Sequence, residues 1–195
     1  DVGSSIAEFR VGNIGPSNNS AIRISRNDTT VSSGNPLGYL EFGGKDSTGN
    51  ADMAFAYICA IADGTHSAGS NSTALAFGVT ASGSEVTAEA MRIDPSGNVL
   101  VGTTDDQPFN NSAGSSADNG IALKDNGQLQ VSSYKDTAGS GYVGYLNRTS
   151  TDGGIVSFSK DGTTVGSISV TGSATAYNTS SDYRLKEDDV PMTGA

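Results

Sequence analysis

Four segments of this chain share one form: an apolar residue at every second position, a turn carrying Asn, Asp or Gly, and a return strand. They are Ile22 to Val31, Met91 to Val101, Ile121 to Val131 and Val156 to Val165. Alternation with period two puts the apolar side chains on one face of a strand, and a turn residue that tolerates positive φ reverses the chain. The intervals between the four segments are irregular, so they form a recurring hairpin unit and not a solenoid period. A chain written this way is committed to an all-β fold.

Its apolar supply is thin. Leu, Ile, Val and Phe together come to about 19% of the 195 residues, a level at which, with a net charge of −10, disorder competes with folding. The alternation argues for order. A chain too poor in apolar residues to fill its own core can share one with identical neighbours, so the expectation is an obligate oligomer. The 26 glycines sit at turns and lack the strict period of collagen. The acidic balance argues against nucleic acid as a partner, because phosphate binding needs clustered Lys and Arg. No apolar run reaches the length of a membrane helix, and no signal-like N-terminus is present. The first residue is Asp1, without a methionine, which is expected of the distal part of a longer protein.

Between the hairpin units, Gly38 to Gly43 reads as a strand with Leu40 and Phe42 opposite in phase to Tyr39. Met53 to Ala62 alternates small and large residues as a central strand does, although its alanines also suit a short helix. Asp63 to Thr73 is a polar loop holding His66, the sole histidine, and Ala74 to Thr80 is a strand. Asp105 to Asn119 is polar and small, with Pro108 and a single Phe109, and reads as a linker. Ile168 to Tyr177 runs extended.

Chemistry-bearing clusters are few. Cys59 stands alone in an apolar run and reads as a buried thiol. His66 has no second His or Cys near it, which argues against a transition-metal site. Asp46 to Asp52 places oxygen ligands at alternate positions but is also ordinary turn chemistry. No cofactor is expected. Asp94, Asp105, Asp106, Asp125, Asp136, Asp152 and Asp161 lie in turns, and the chain has no Trp. A glycosidase needs two facing carboxylates in a cleft, usually with aromatic platforms. Tyr39, Tyr57, Tyr134, Tyr142, Tyr145 and Phe109 are the aromatic residues open to sugar contact or to packing.

One stretch has residue types suited to chemistry: Ser181-Asp182-Tyr183-Arg184-Leu185-Lys186-Glu187. Ser181 offers a hydroxyl nucleophile. Lys186 offers an amine that would accept its proton once its reference pKa of about 10.4 is lowered by burial or a cationic neighbour such as Arg184. On spacing alone the same residues read as a capped helix start. The segment Thr175 to Glu187 as a whole resembles the junction that opens the C-terminal intramolecular chaperone domain of bacteriophage tail fibres and tailspikes, the endosialidase-type chaperone family. Met91 to Thr103, with Met-Arg-Ile-Asp-Pro-Ser-Gly-Asn-Val and Gly-Thr-Thr, is similar to a hairpin common in phage tail-fibre proteins. At Asp188-Asp189 the chain departs from the family pattern, where Asn and an apolar residue are usual.

The resemblance implies an elongated, intertwined homotrimeric fibre of short antiparallel strands and hairpins. It implies that the chaperone drives trimerisation and then cuts itself off between Ser180 and Ser181, with Ser181 as nucleophile and Lys186 as its partner. The expected divisions are residues 1–104 as a fibre or tip domain, 105–119 as a linker, 120–180 as a second hairpin shaft and 181–195 as the start of the chaperone. The expected role is structural and adhesive, in a virion assembled in the host cytoplasm. Other tail proteins would lie upstream of Asp1, and the receptor would be a bacterial surface glycan or protein. A tailspike depolymerase acting on surface polysaccharide is the alternative, and a bacterial surface protein using the same chaperone is a third. Loops Ser17 to Ser20, Asp63 to Thr73 and Asp105 to Asn119 are the expected recognition elements.

Overall fold

The computed structural model describes residues 22–45, 53–110, 119–134 and 141–179. The chain divides into two compact units, Asp1–Val143 and Gly144–Ala195. Among the described residues there is no α-helix; one 3-10 turn, Pro108–Asn110, interrupts the strands. The protein is all-β. The first unit is one seven-stranded antiparallel meander in sequence order: β1 (Pro36–Gly44), β2 (Met53–Ala62), β3 (Thr73–Thr80), β4 (Thr87–Ile93), β5 (Val99–Val101), β6 (Gly120–Leu123) and β7 (Leu129–Ser132). The second is a three-stranded sheet of β8 (Gly153–Lys160), β9 (Thr163–Val170) and β10 (Thr175–Thr179), with β9 in the middle.

Because directly opposed residues of antiparallel strands share a face, the register sorts the first sheet into two surfaces. One transverse row runs Leu40, Ile58, Phe77, Met91, Val101, Ile121, Val131 across all seven strands. A parallel row on the same face runs Ala60, Leu75, Ile93, Val99, Leu123, Leu129. Every member of both rows is apolar. The opposite face carries the row Tyr39, Cys59, Ala76, Arg92, Leu100, Ala122, Gln130. Cys59, Ala74, Ala76, Leu100 and Ala122 of this face are fully buried, beneath larger neighbours and the segment before β6. The first face is apolar along both rows and more open: Leu40 is 50% exposed, Leu123 48% and Leu129 65%, while at its β1–β2 edge Ile24 lies over Gly38 and Ala62 is fully buried.

The turns explain why the hairpins form where they do. At Asp94-Pro95-Ser96-Gly97 the Gly97 N–H donates to the Asp94 carbonyl at 3.0 Å, and Gly97 adopts φ +89°. At Lys124-Asp125-Asn126-Gly127 the Gly127 N–H donates to Lys124 at 2.9 Å, with φ +84°. Both need the left-handed conformation that glycine adopts without a Cβ clash. Asn98, 1% exposed, joins the two turns. Its Nδ2 donates to Asp94 Oδ2 at 2.6 Å, and its Oδ1 accepts from the Asp125 N–H at 3.0 Å. Successive hairpins are thereby held in one sheet.

In the second unit, Val156, Ile168 and Tyr177 lie in register on one face. Ser157, Ser167 and Asn178 lie in register on the other. Asn178 Nδ2 donates to Ser167 Oγ at 3.1 Å and Ser169 Oγ at 2.8 Å. One side mixes Val156, Ile168, Val170 and Tyr177 with Thr175 and Thr179, and the other carries a hydroxyl–amide ladder.

Several expectations change. Ile22 to Val31 is not a hairpin. The Asp28 carboxylate accepts from the Thr30 N–H at 2.9 Å and from Arg26 at 2.8 Å, so the segment satisfies itself locally and builds no strand ladder. Ile24 instead lies over Gly38, where a Cβ would meet its Cγ2 at 2.6 Å. Met53–Ala62 is the expected strand, and the helix alternative falls. Ile168 to Tyr177 is not one extended run, since it reverses between β9 and β10 with the Thr171 N–H donating to Ala174 O at 2.9 Å. Residues 105–119 do not separate two domains, because β5 and β6 on either side of them are adjacent, paired strands. The division falls at Val143–Gly144. The Ser17 to Ser20 loop and the Asp46 to Asp52 turn lie outside the described residues.

Candidate functional site

Two of the expected recognition loops come together. A cleft of about 410 Å³ is lined by Asp63 and Ser72 from the loop after β2, by Thr104, Asp105 and Asp106 from the segment after β5, and by Arg92, Asp94, Pro95 and Ser96 from the β4–β5 hairpin. The sheet topology causes this meeting. The loop after β2 and the β4–β5 turn are at the same end of the sheet, and the 103–110 segment folds back across β6 and β7.

Arg92 anchors the cleft floor. Its Nη2 donates to Glu89 Oε2 at 2.7 Å, and its Nη1 lies 3.6 Å from Asp63 Oδ1. A β-bulge between β3 and β4 brings Glu89 onto the face of Arg92. The hydrogen bonds it donates to Glu89 raise the Arg92 pKa and keep the guanidinium charged against the burial that opposes it. Asp106 Oδ2 accepts from Lys124 Nζ at 2.7 Å. Asp94 Oδ1 accepts from the N–H groups of Ser96 and Asn98, both at 2.9 Å, and its Oδ2 from Asn98 Nδ2. Asp105 Oδ1 accepts from the Gln107 N–H at 2.9 Å. The cleft is therefore a set of fixed acceptors around one cation, suited to hydrogen-bonding a hydroxyl-rich molecule. Asp94 and Asp106 are committed to turn and ion-pair geometry, unlike the free acid–base pair of a glycosidase.

On the same face, from β1 and β2, Tyr39 and Tyr57 stand edge to face, with ring centroids 5.5 Å apart and planes at 88°. The Tyr57 ring lies over Gly78, where a Cβ would come within 2.2 Å of its Cε1. Only glycine at position 78 lets the ring lie down on the sheet. Burial raises the pKa of both tyrosines and of Cys59 beneath them.

The other expected contacts are dispersed. Phe109 is 62% exposed and borders a shallow depression with Gln128, Leu129, Gln130 and Val131. Tyr134, Tyr142 and Tyr145 are exposed outside the strands. His66 Nε2 lies 3.1 Å from the Ser72 carbonyl, a contact within its own loop. No group of three or more His, Cys, Asp or Glu among the described residues is placed to hold a metal ion. Ser180, Ser181 and Lys186 lie outside the described residues. The chain's described part ends at Thr179, the last residue of β10. Sequence reasoning singled out the loops but not Arg92. The signal was there in Met-Arg-Ile, where period-two alternation sets Arg92 on the face opposite Met91 and Ile93.

The chain matches no protein-family model, and no curated protein or solved structure is similar to it.

Proposed function

We propose that this chain is a structural and adhesive segment of a virion appendage, a bacteriophage tail fibre that works as a homotrimer and attaches to the bacterial surface. The observation that carries the reading is that each unit is a single sheet, and that the larger sheet leaves two apolar rows largely open on one side. A lone sheet of this kind lacks the second layer from which domains are ordinarily built, and identical copies are the simplest source of one. The Ser-Asp-Tyr-Arg-Leu-Lys-Glu segment, with its resemblance to the chaperone junction of tail fibres, supplies the virion context.

In this reading the chain matures by chaperone-assisted trimerisation and by a cut at Ser180–Ser181, Ser181 acting as nucleophile with Lys186 as its proton acceptor. The cleft around Arg92 is the recognition site, and its ligand is a surface glycan whose hydroxyls meet Asp63, Arg92 and Ser96. Recognition rather than turnover is favoured because Asp94, Asp105 and Asp106 are held by turn N–H groups and Lys124, and Asp63 faces Arg92.

Two experiments test the reading. With the complete C-terminus expressed, Ser181→Ala leaves a single uncut band on denaturing gels while wild type gives two; a cut at position 181 in the variant removes the serine from the mechanism. Purified wild-type protein binds surface polysaccharide from susceptible bacteria in glycan-array measurements, and Arg92→Ala loses that binding. Release of reducing ends from the polysaccharide would instead make the protein a depolymerase.

A further inference from the structure

We infer that the face of the seven-stranded sheet carrying the two apolar rows is the surface on which copies of this chain meet. The inference rests on the oligomeric reading above and gives it a location.

Three observations single out this face. The first is its composition. Leu40, Ile58, Phe77, Met91, Val101, Ile121 and Val131 form an unbroken apolar row across seven strands. The charged residues of those strands, Glu41, Glu89 and Arg92, all fall on the other side. The second is extent. At about 4.8 Å per strand the sheet is roughly 30 Å wide. The fractional exposures of its side chains correspond to on the order of 900 Å² of apolar surface, against roughly 800 Å² per partner in a standard protein–protein interface. That exceeds the largest apolar patch of a typical monomer. The third is charge. Each chain carries a formal net charge of −10, so copies repel wherever their charged surfaces face one another. The uncharged sheet face is where they approach at least Coulombic cost.

A hydroxyl-rich ligand has nothing to bind here, because the face offers no side-chain donor or acceptor along either row. A second copy brings a surface of the same extent and the same apolar character. In the assembly, then, this face points inward and the Arg92 cleft, on the other side of the same strands, points outward.

The test uses the full chain. Light scattering places wild type at an integral multiple of 19.7 kDa. Val101→Lys and Ile121→Lys, each a buried charge in the assembly, raise the concentration needed for half-association at least tenfold, while Glu41→Lys on the outer face leaves it unchanged. A nitroxide on Ile121→Cys, in a chain also carrying Cys59→Ala, covers the case in which a lysine variant misfolds. Its spectrum is immobilised and broadened by spins on neighbouring copies, and the broadening vanishes when labelled chain is diluted with unlabelled. Wild type that assembles, ignores both lysines and leaves the label mobile and water-exposed overturns this inference alone. Wild type that stays at 19.7 kDa overturns the inference and the oligomeric reading together. A two-chain assembly with the label immobilised upholds the face and contradicts only the trimer.

Discussion

The two sheets solve the same problem to different degrees. Each is one layer thick, with one side richer in apolar residues than the other. The seven-stranded sheet also builds half a core on its second side, where Cys59, Ala76, Leu100 and Ala122 are fully buried beneath side chains and loop segments. The three-stranded sheet builds none. Among residues 144–179 not one is fully buried, and its second side is the Ser157, Ser167, Ser169 and Asn178 ladder open to water. Full burial of a side chain such as Leu100 is worth about 2 kcal/mol. The hydroxyl–amide contacts of the smaller sheet are exposed, and net hydrogen bonds contribute only about 1 kcal/mol each. Three strands with no apolar cover sit at the lower limit of independent stability. Folding of the first unit is therefore partly its own, and folding of the second depends on what covers it.

The largest expected effect follows from that difference. When the assembly is dissociated by Val101→Lys, amide exchange protection across residues 153–179 falls to near the unfolded level, while protection across 73–101 persists. Equal loss in both units would erase the contrast. Next is the hinge between hairpins. Asn98→Ala leaves the Asp125 N–H and Asp94 Oδ2 without their side-chain partner and costs the first unit about 2–3 kcal/mol in chemical denaturation. Asn178→Ala in the second unit costs no more than about 0.5 kcal/mol by the same measurement, because water replaces what the amide donates. Between these lies Gly78→Ala. Its methyl displaces the Tyr57 ring, with a cost of about 1–3 kcal/mol and loss of the near-ultraviolet dichroism of the Tyr39–Tyr57 pair.

The smallest effect is alkaline. Cys59, Tyr39 and Tyr57 all have pKa values raised by burial from ordinary values of 9.0 for the thiol and 10.0 for the phenols. A raised acid group favours the folded state while its proton is retained in both states. That stability begins to fade as pH passes the unfolded values, and it is gone once pH exceeds the raised folded ones. The first unit should thus lose stability above about pH 9, and a chain carrying Cys59→Ala and Tyr57→Phe should lose less. The second unit, with no buried acid of this kind among its described residues, should not respond in that range.

Much of this architecture was legible from period-two patterning. Three of the four hairpin units form where their Gly, Asn and Asp turns predicted, and the opposite phase of Tyr39 against Leu40 and Phe42 is the division between the two faces of the sheet. The fourth unit failed because Asp28, a turn former by type, closes on Thr30 and Arg26 before a return strand can pair. Residues 105–119 read as a linker because polar composition looks the same whether a loop joins two domains or spans two paired strands. What distinguishes them is Lys124 reaching back to Asp106, a contact 18 residues apart. The loops of the cleft were visible in composition. Their convergence depended on strand order, which local pattern does not contain. The open apolar side was implied by alternation, but its continuity across seven strands appears only once the register is known.

If copies of this chain supply the missing layer, as proposed, the native protein is an oligomer. Multi-angle light scattering of the native protein, followed through dilution, tests it most directly. The account predicts three times 19.7 kDa, dissociating only with loss of strand signal from the second unit. A monomer of 19.7 kDa that keeps all its strand dichroism and unfolds cooperatively would contradict it.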